Sequence, residues 1–200
     1  MLKTCKILVV ATAAAATALA LSGCSAGNGG MPGMDHASDD PTASGSQAAA
    51  DFNDADVAFA QMMIPHHEQA VEMSDMLLAK DGIDQRVAEL AGQIKDAQQP
   101  EIDQLRNWLT EWGQEEADVG GMNHGGMMSE DDMTALENAE GAEATRLFLE
   151  QMTEHHEGAI AMAEAEVDDG RNEDAKGMAA TIVATQTDEI VTMQQLIASL

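Results

Sequence analysis

From Phe52 to the end of the chain, apolar residues recur at spacings of three and four, the period of a helix with one face turned to a core. The pattern predicts four long helical stretches. The first covers about 53–80 and stops at Asp81-Gly82, where glycine can take the left-handed conformation that closes a helix. The second starts near Asp84 and carries Val87, Leu90, Ala91, Ile94, Ile102, Leu105, Trp108, Leu109 and Trp112 on one stripe. A glycine- and methionine-bearing connection follows, after which Ser129 with Asp132 forms a helix start signal. The third stretch, in two pieces around Gly141, runs to about Val167 and ends at Asp168-Asp169-Gly170, repeating the earlier Asp-Gly stop. The fourth covers about 172–199, with Ala175, Ala179, Ile182, Val183, Ile190, Met193 and Ile197 on its apolar face. Pro65 and Pro100 fall inside helical runs, so Pro65 predicts either a kink beside His66 or a helix that restarts there.

The halves of this region repeat each other. Ile94, Gln98, Glu101-Ile102, Leu105 and Leu109 match Ile182, Gln186, Glu189-Ile190, Met193 and Ile197 at a constant shift of 88, and Phe59 matches Phe148 at a shift of 89. Two helical hairpins, neither able to bury its apolar face alone, predict an all-α four-helix bundle. The domain then spans 51–200, with repeat halves 51–112 and 130–200 joined by a linker, 113–129.

The repeat carries chemistry as well as packing. Met63-Ile64-Pro65-His66-His67-Glu68 returns as Met152-Thr153-Glu154-His155-His156-Glu157, and each histidine pair is followed by a second methionine, Met73 or Met162. Imidazole and thioether together suit a soft ion, Cu(I) first and Ag(I) as its mimic, whereas thioethers bind Zn(II) poorly. Met63, His66, His67, Met73, Met152, His155, His156 and Met162 are the candidate ligands. Neighbouring histidines diverge by about 100° on a helix, so one of each pair is expected inside and the other at the rim. Two further clusters are polar and glycine-rich, leaving methionine no core to fill: Met31, Met34 and His36, and Met122, His124, Met127 and Met128. Gln98 and Gln186, mid-stripe at matching positions, are candidates to hydrogen-bond the histidines, or else the backbone.

The N-terminus sets the compartment. Lys3 and Lys6 precede an apolar run, Ile7 to Leu21, which ends in Leu21-Ser22-Gly23-Cys24. This resembles a bacterial lipoprotein leader: 1–23 is removed, Cys24 is lipidated, and 24–50 is a disordered tether rich in Gly, Ser, Ala and Asp. The mature chain would be exported and lipid-anchored, outside the cytoplasmic membrane or in the periplasm. With Cys5 removed and Cys24 acylated, no thiol remains for a disulfide or a thiolate metal site. Seven basic residues would then face 36 acidic ones, a formal charge of −29, which repels nucleic acid and concentrates cations.

The paired His-His-Glu helices, the Glu-Ile segments and the leader together resemble the domain-of-unknown-function 305 family of exported bacterial proteins, over about 51–200. The resemblance implies a ferritin-like four-helix bundle and, for some members, periplasmic copper binding and copper resistance. Thr153-Glu154 in place of Ile64-Pro65 leaves open whether the two copies bind alike.

Other function classes fit less well. A di-iron oxidase needs Glu-x-x-His on two helices, but Met63, Ile64, Met152 and Thr153 stand three before the four histidines. A nucleophilic hydrolase finds no usable cysteine and no nucleophile elbow: the Gly-x-Ser-x-Gly spacing occurs at Gly23-Cys24-Ser25-Ala26-Gly27, at the leader junction and not between a strand and a helix. A copper oxidase and a protein-binding lipoprotein without metal remain as alternatives. The expected role is non-enzymatic: a copper-binding protein that buffers, sequesters or transfers Cu(I), with a copper-transfer protein as one conceivable partner.

Overall fold

Asn53 opens the domain by capping its first helix. Its side chain accepts from the amides of Ala55 (2.9 Å) and Asp56 (3.1 Å), while Asp56 reaches back to the Asn53 amide. A computed structural model of the chain describes residues 51–117 and 125–200. Within them lie α1 (Asp54–Leu78), α2 (Gln85–Glu111), α3 (Glu130–Asn138), α4 (Gly141–Asp169) and α5 (Glu173–Ser199), and no strand. Asp84, Ser129 and Asn172 cap α2, α3 and α5 with their side chains, so polar residues at element starts set the boundaries.

The third predicted stretch is two helices. Ala139 and Glu140 are extended, which separates short α3 from long α4. α1 passes through Pro65 and α2 through Pro100 without ending or restarting. The two Asp-Gly stops differ in mechanism. α1 already ends at Leu78, with Ala79 as a right-handed cap, so Gly82 (φ 74°) turns the loop beyond it, whereas Gly170 is itself the cap of α4, extended (φ −65°, ψ 159°), where a Cβ would collide with the Glu166 side chain and carbonyl.

α1 packs along α2, α4 along α5, and the hairpins join through α1 and α4. The core has two apolar parts. One gathers Met73, Leu77, Val87, Ile94, Phe148, Leu149, Met152 and Met193; the other gathers Phe59, Met63, Ile64, Ile102, Leu105, Ala159, Ala163 and Ile182. The end of α1 thus meets the start of α4, so these two helices run antiparallel. Short α3 lies on both of them at the first end, where Leu136 is fully buried. At the other end Phe52 stacks on Trp112 (5.0 Å between ring centroids), and Trp112 on Trp108 (6.0 Å).

That second end also holds a buried carboxyl pair. Asp56 accepts from the amides of Arg171 (3.0 Å) and Asn172 (2.8 Å), tying the first turn of α1 to the α4–α5 turn. Burial alone would raise its pKa, but the amides of Asn172 and Asn53, the Glu166 carboxyl and the Arg171 amide outweigh that and hold it low. Glu166 goes the other way: burial, then the neighbouring Asp56 carboxylate, push it up to about 8. One carboxyl is ionised at neutral pH and its neighbour keeps the proton. Among the described residues no helix is long and apolar enough to cross a membrane.

Candidate metal centre

Between the two apolar halves of the core lies a polar layer, one contribution from each long helix. α1 provides His66 and His67, α4 provides His155 and His156, α2 provides Gln98 and Glu101, and α5 provides Gln186 and Glu189. All four histidines are fully buried. The expectation that one of each pair would sit at the rim is therefore corrected. The diverging rings straddle different seams: His66 and His155 face each other across α1 and α4 with centroids 3.7 Å apart, while His67 turns to α2 and His156 to α5.

His67 and His156 are held alike. Nε2 of His67 lies 2.8 Å from Oε2 of Glu101, and Nε2 of His156 lies 2.7 Å from Oε2 of Glu189. A carboxylate accepts only, so each ring donates its Nε2 proton to it, and in the neutral tautomer that this selects Nδ1 carries the lone pair. Both Nδ1 atoms are buried and lack a hydrogen-bond partner among the described residues. A buried acceptor with no donor is costly, and an imidazole oriented by a carboxylate on its far nitrogen is the arrangement that presents a ligand to a metal ion. Gln98, a candidate with Gln186 to hold the histidines or else the backbone, does neither among the described residues. Both amide atoms of Gln98 and Oε1 of Gln186 lack partners among the described residues, although both side chains lie in the layer. The glutamates one turn further along do that work. The signal for them was present in the repeated Gln-x-x-Glu of α2 and α5.

Neither ring nitrogen of His155 makes a well-formed hydrogen bond among the described residues. Burial lowers its pKa well below the ordinary histidine value, and the neighbouring His66, His156 and His67 lower it further. A neutral ring is the form that binds metal.

The methionines divide by depth. Met63 and Met152, each three residues before a histidine, are fully buried and border the layer on opposite sides. Met73 and Met162 stand seven residues after His66 and His155, about 10 Å along the helix axis, so the fold does not bring them to the ion these histidines would hold. Met73 is fully buried and Met162 partly so.

A strap covers the His66–His155 pair. Gly126, at φ 86°, lies against Gly158 of α4 so closely that a Cβ on it would stand 2.6 Å from the Gly158 Cα. Two residues on, the Met128 amide donates to Oε1 of Gln69 (2.7 Å), and Nε2 of Gln69 donates to the Met128 carbonyl (2.9 Å). Gln69 and Gly158 each lie one turn beyond a histidine of the pair, and their helices are antiparallel. The strap therefore crosses the seam at the level of the rings. Met128 is buried and Met127 partly buried there. The remaining predicted ligands, Met31, Met34, His36, Met122 and His124, lie outside the described residues, as do Cys24, the leader and the tether.

Among the described residues no group of three or more His, Cys, Asp or Glu is arranged to hold an ion. The same holds for the four histidines, which do not converge as a set of three or more. Cu(I), content with two to four soft or borderline donors, fits imidazoles with thioethers beside them.

The family profile for DUF305, a domain of unknown function, matches residues 56–197. The chain belongs to the DUF305 family. Solved DUF305 structures share its fold. A DUF305 fragment from Deinococcus radiodurans is 30% identical, with 74% of this chain and 98% of that one covered and a TM-score of 0.68. A DUF305 protein of Streptomyces coelicolor, regarded as secreted, is 33% identical over 72% of this chain and 93% of its own, with a TM-score of 0.66. CopM in its Cu(I)-bound form is 28% identical over 72% and 96%, with a TM-score of 0.62, and CopM is also solved with Cu(II) and with silver. No curated protein matches the chain.

Proposed function

We propose that this DUF305 protein is an exported, lipid-anchored copper-binding protein that holds Cu(I) at its histidine layer and buffers it, sequesters it or passes it on outside the cytoplasmic membrane. The observation that carries the reading is the buried layer itself: four imidazoles, two of them fixed at Nε2 by Glu101 and Glu189 so that Nδ1 is offered inward. The copper- and silver-bound forms of CopM support copper as the cargo. A secreted relative and the leader pattern support export.

In this reading each group has one task. His66 and His155 meet at the α1–α4 seam as the central donors, and burial keeps His155 neutral. Met63 and Met152 border them with thioethers, which favour Cu(I) over Zn(II) and Fe(II). The strap shields the pair from solvent. The role proposed is binding rather than catalysis.

The test is an anaerobic Cu(I) titration of the full chain against a competing chelator, with Zn(II) and Fe(II) as controls. The reading expects Cu(I) to be retained against the chelator and the other two ions to be bound weakly. Complete loss of Cu(I) to the chelator would refute it. Anchoring has its own test: Cys24→Ala should move the protein from the membrane to the soluble fraction without changing its helicity, since a lipid chain contributes only anchoring.

A further inference from the structure

The α1–α4 seam has two ends related by the internal repeat, and they are finished differently. At a shift of 89, Met62 corresponds to Gln151 and Met162 to Met73. Where Gln151 and Met73 lie, α3 closes the seam: Nε2 of Gln151 donates to the Asp132 carbonyl (2.9 Å), and Met73 is fully buried. At the other end Met62 and Met162 line one cavity of about 110 Å³, together with Phe59, Glu166 and Asp169. Both methionines are only partly buried, although their neighbours Met63 and Ala163 are fully so.

We infer that this cavity is a second soft-metal site, which takes Cu(I) or Ag(I) through the thioethers of Met62 and Met162. A methionine that serves only as core filler needs no access to solvent, and a partly exposed position about two turns from a helix end favours a charged residue over a thioether. Here two thioethers from different helices line a single space the size of a few water molecules. The opposite end of the seam shows that the fold does not require the pair, because an amide occupies the position equivalent to Met62. Two thioethers meet the coordination demand of Cu(I) or Ag(I) and are poor ligands for Zn(II) or Mg(II). Asp169 at the cavity wall supplies negative charge that draws a cation in. Met62 precedes His66 by four residues, about 6 Å along α1, so the site neighbours the histidine pair without sharing its donors.

The inference rests on the copper-binding reading, and one experiment separates their failures. The full chain, labelled with ¹³C at the methionine methyl groups, is titrated anaerobically with Ag(I) and followed by NMR, with Met62→Leu and Met162→Leu variants supplying the assignments. These substitutions preserve volume and leave the bundle folded. The second site predicts that the Met62 and Met162 methyl signals move together at the same equivalent of Ag(I). It predicts further that Met62→Leu abolishes the response of Met162 and lowers the stoichiometry by one ion, and that His66→Gln with His155→Gln leaves the response in place. Stationary Met62 and Met162 signals, while the Met63 or Met152 methyl signals shift, would overturn the second site and leave the histidine layer standing. If no signal of the wild-type protein moves, both readings fall.

Discussion

Glu101 and Glu189 are the side chains that turn two buried histidines into oriented donors. Glu101→Gln and Glu189→Gln, singly, replace an obligate acceptor by an amide that can face the ring either way. Each is expected to weaken Cu(I) binding about 10–100-fold, the usual cost of losing a partner behind a ligand, with helicity unchanged. Chelator competition checks this, and unchanged affinity in both variants would show that the glutamates merely pack. Glu166 is the second residue whose environment makes a measurable prediction. With its pKa near 8 folded against 4.5 as the ordinary value, the native state holds an extra proton between those limits. Stability therefore falls as pH rises from 4.5 to 8. Glu166→Gln, which imitates the protonated acid, should remove that slope, gaining on the wild type by about 2–4 kcal/mol between pH 5 and 8. Metal-free melts of the two proteins across that range measure it, and parallel curves would contradict it.

Among the elements, the strap and the helices use glycine for opposite reasons. A Cβ on Gly158 would overlap the Gly125 carbonyl, so Gly158→Ala should lift the strap from α4 at a cost of about 1–3 kcal/mol. The Met128 amide, bonded to Gln69, should then lose protection in hydrogen exchange. Gly92 and Gly177 sit inside α2 and α5 with nothing within 4 Å of an added Cβ. Gly92→Ala and Gly177→Ala should each stabilise by about 0.5–1 kcal/mol. If the Gly158 and Gly92 variants melted alike, backbone contact between strap and helix would not be what holds the strap down. Element identity was legible in the sequence because period and caps agree: Asn53, Asp84, Ser129 and Asn172 stand where the helices begin. The break at Ala139-Glu140 was only half visible, since no side chain caps α4. The seat of the strap was not visible at all, because a glycine read alone does not say which backbone it will meet.

For the whole molecule, the duplicated hairpin was enough to read the bundle and the four histidines, because a repeat marks both the faces to be buried and the chemistry placed on them. Depth was harder to read. Nothing in the spacing of His66-His67 tells that α2 and α5 each bring a glutamate to one ring, which is what lets both members of a pair go inside. The structure also separates Met73 and Met162 from the histidines, which sequence proximity had grouped with them. The central claim is that the buried layer, with His66 and His155 at its middle, is where this protein holds copper. Its most direct test is anaerobic Cu(I) competition on the variant with His66, His67, His155 and His156 all changed to Gln, with melting followed in parallel. The account predicts that the tightest Cu(I) binding disappears while the two apolar halves of the core keep the bundle folded. A variant that melts earlier yet holds Cu(I) with wild-type affinity would show that the histidines serve the core and that copper binds elsewhere.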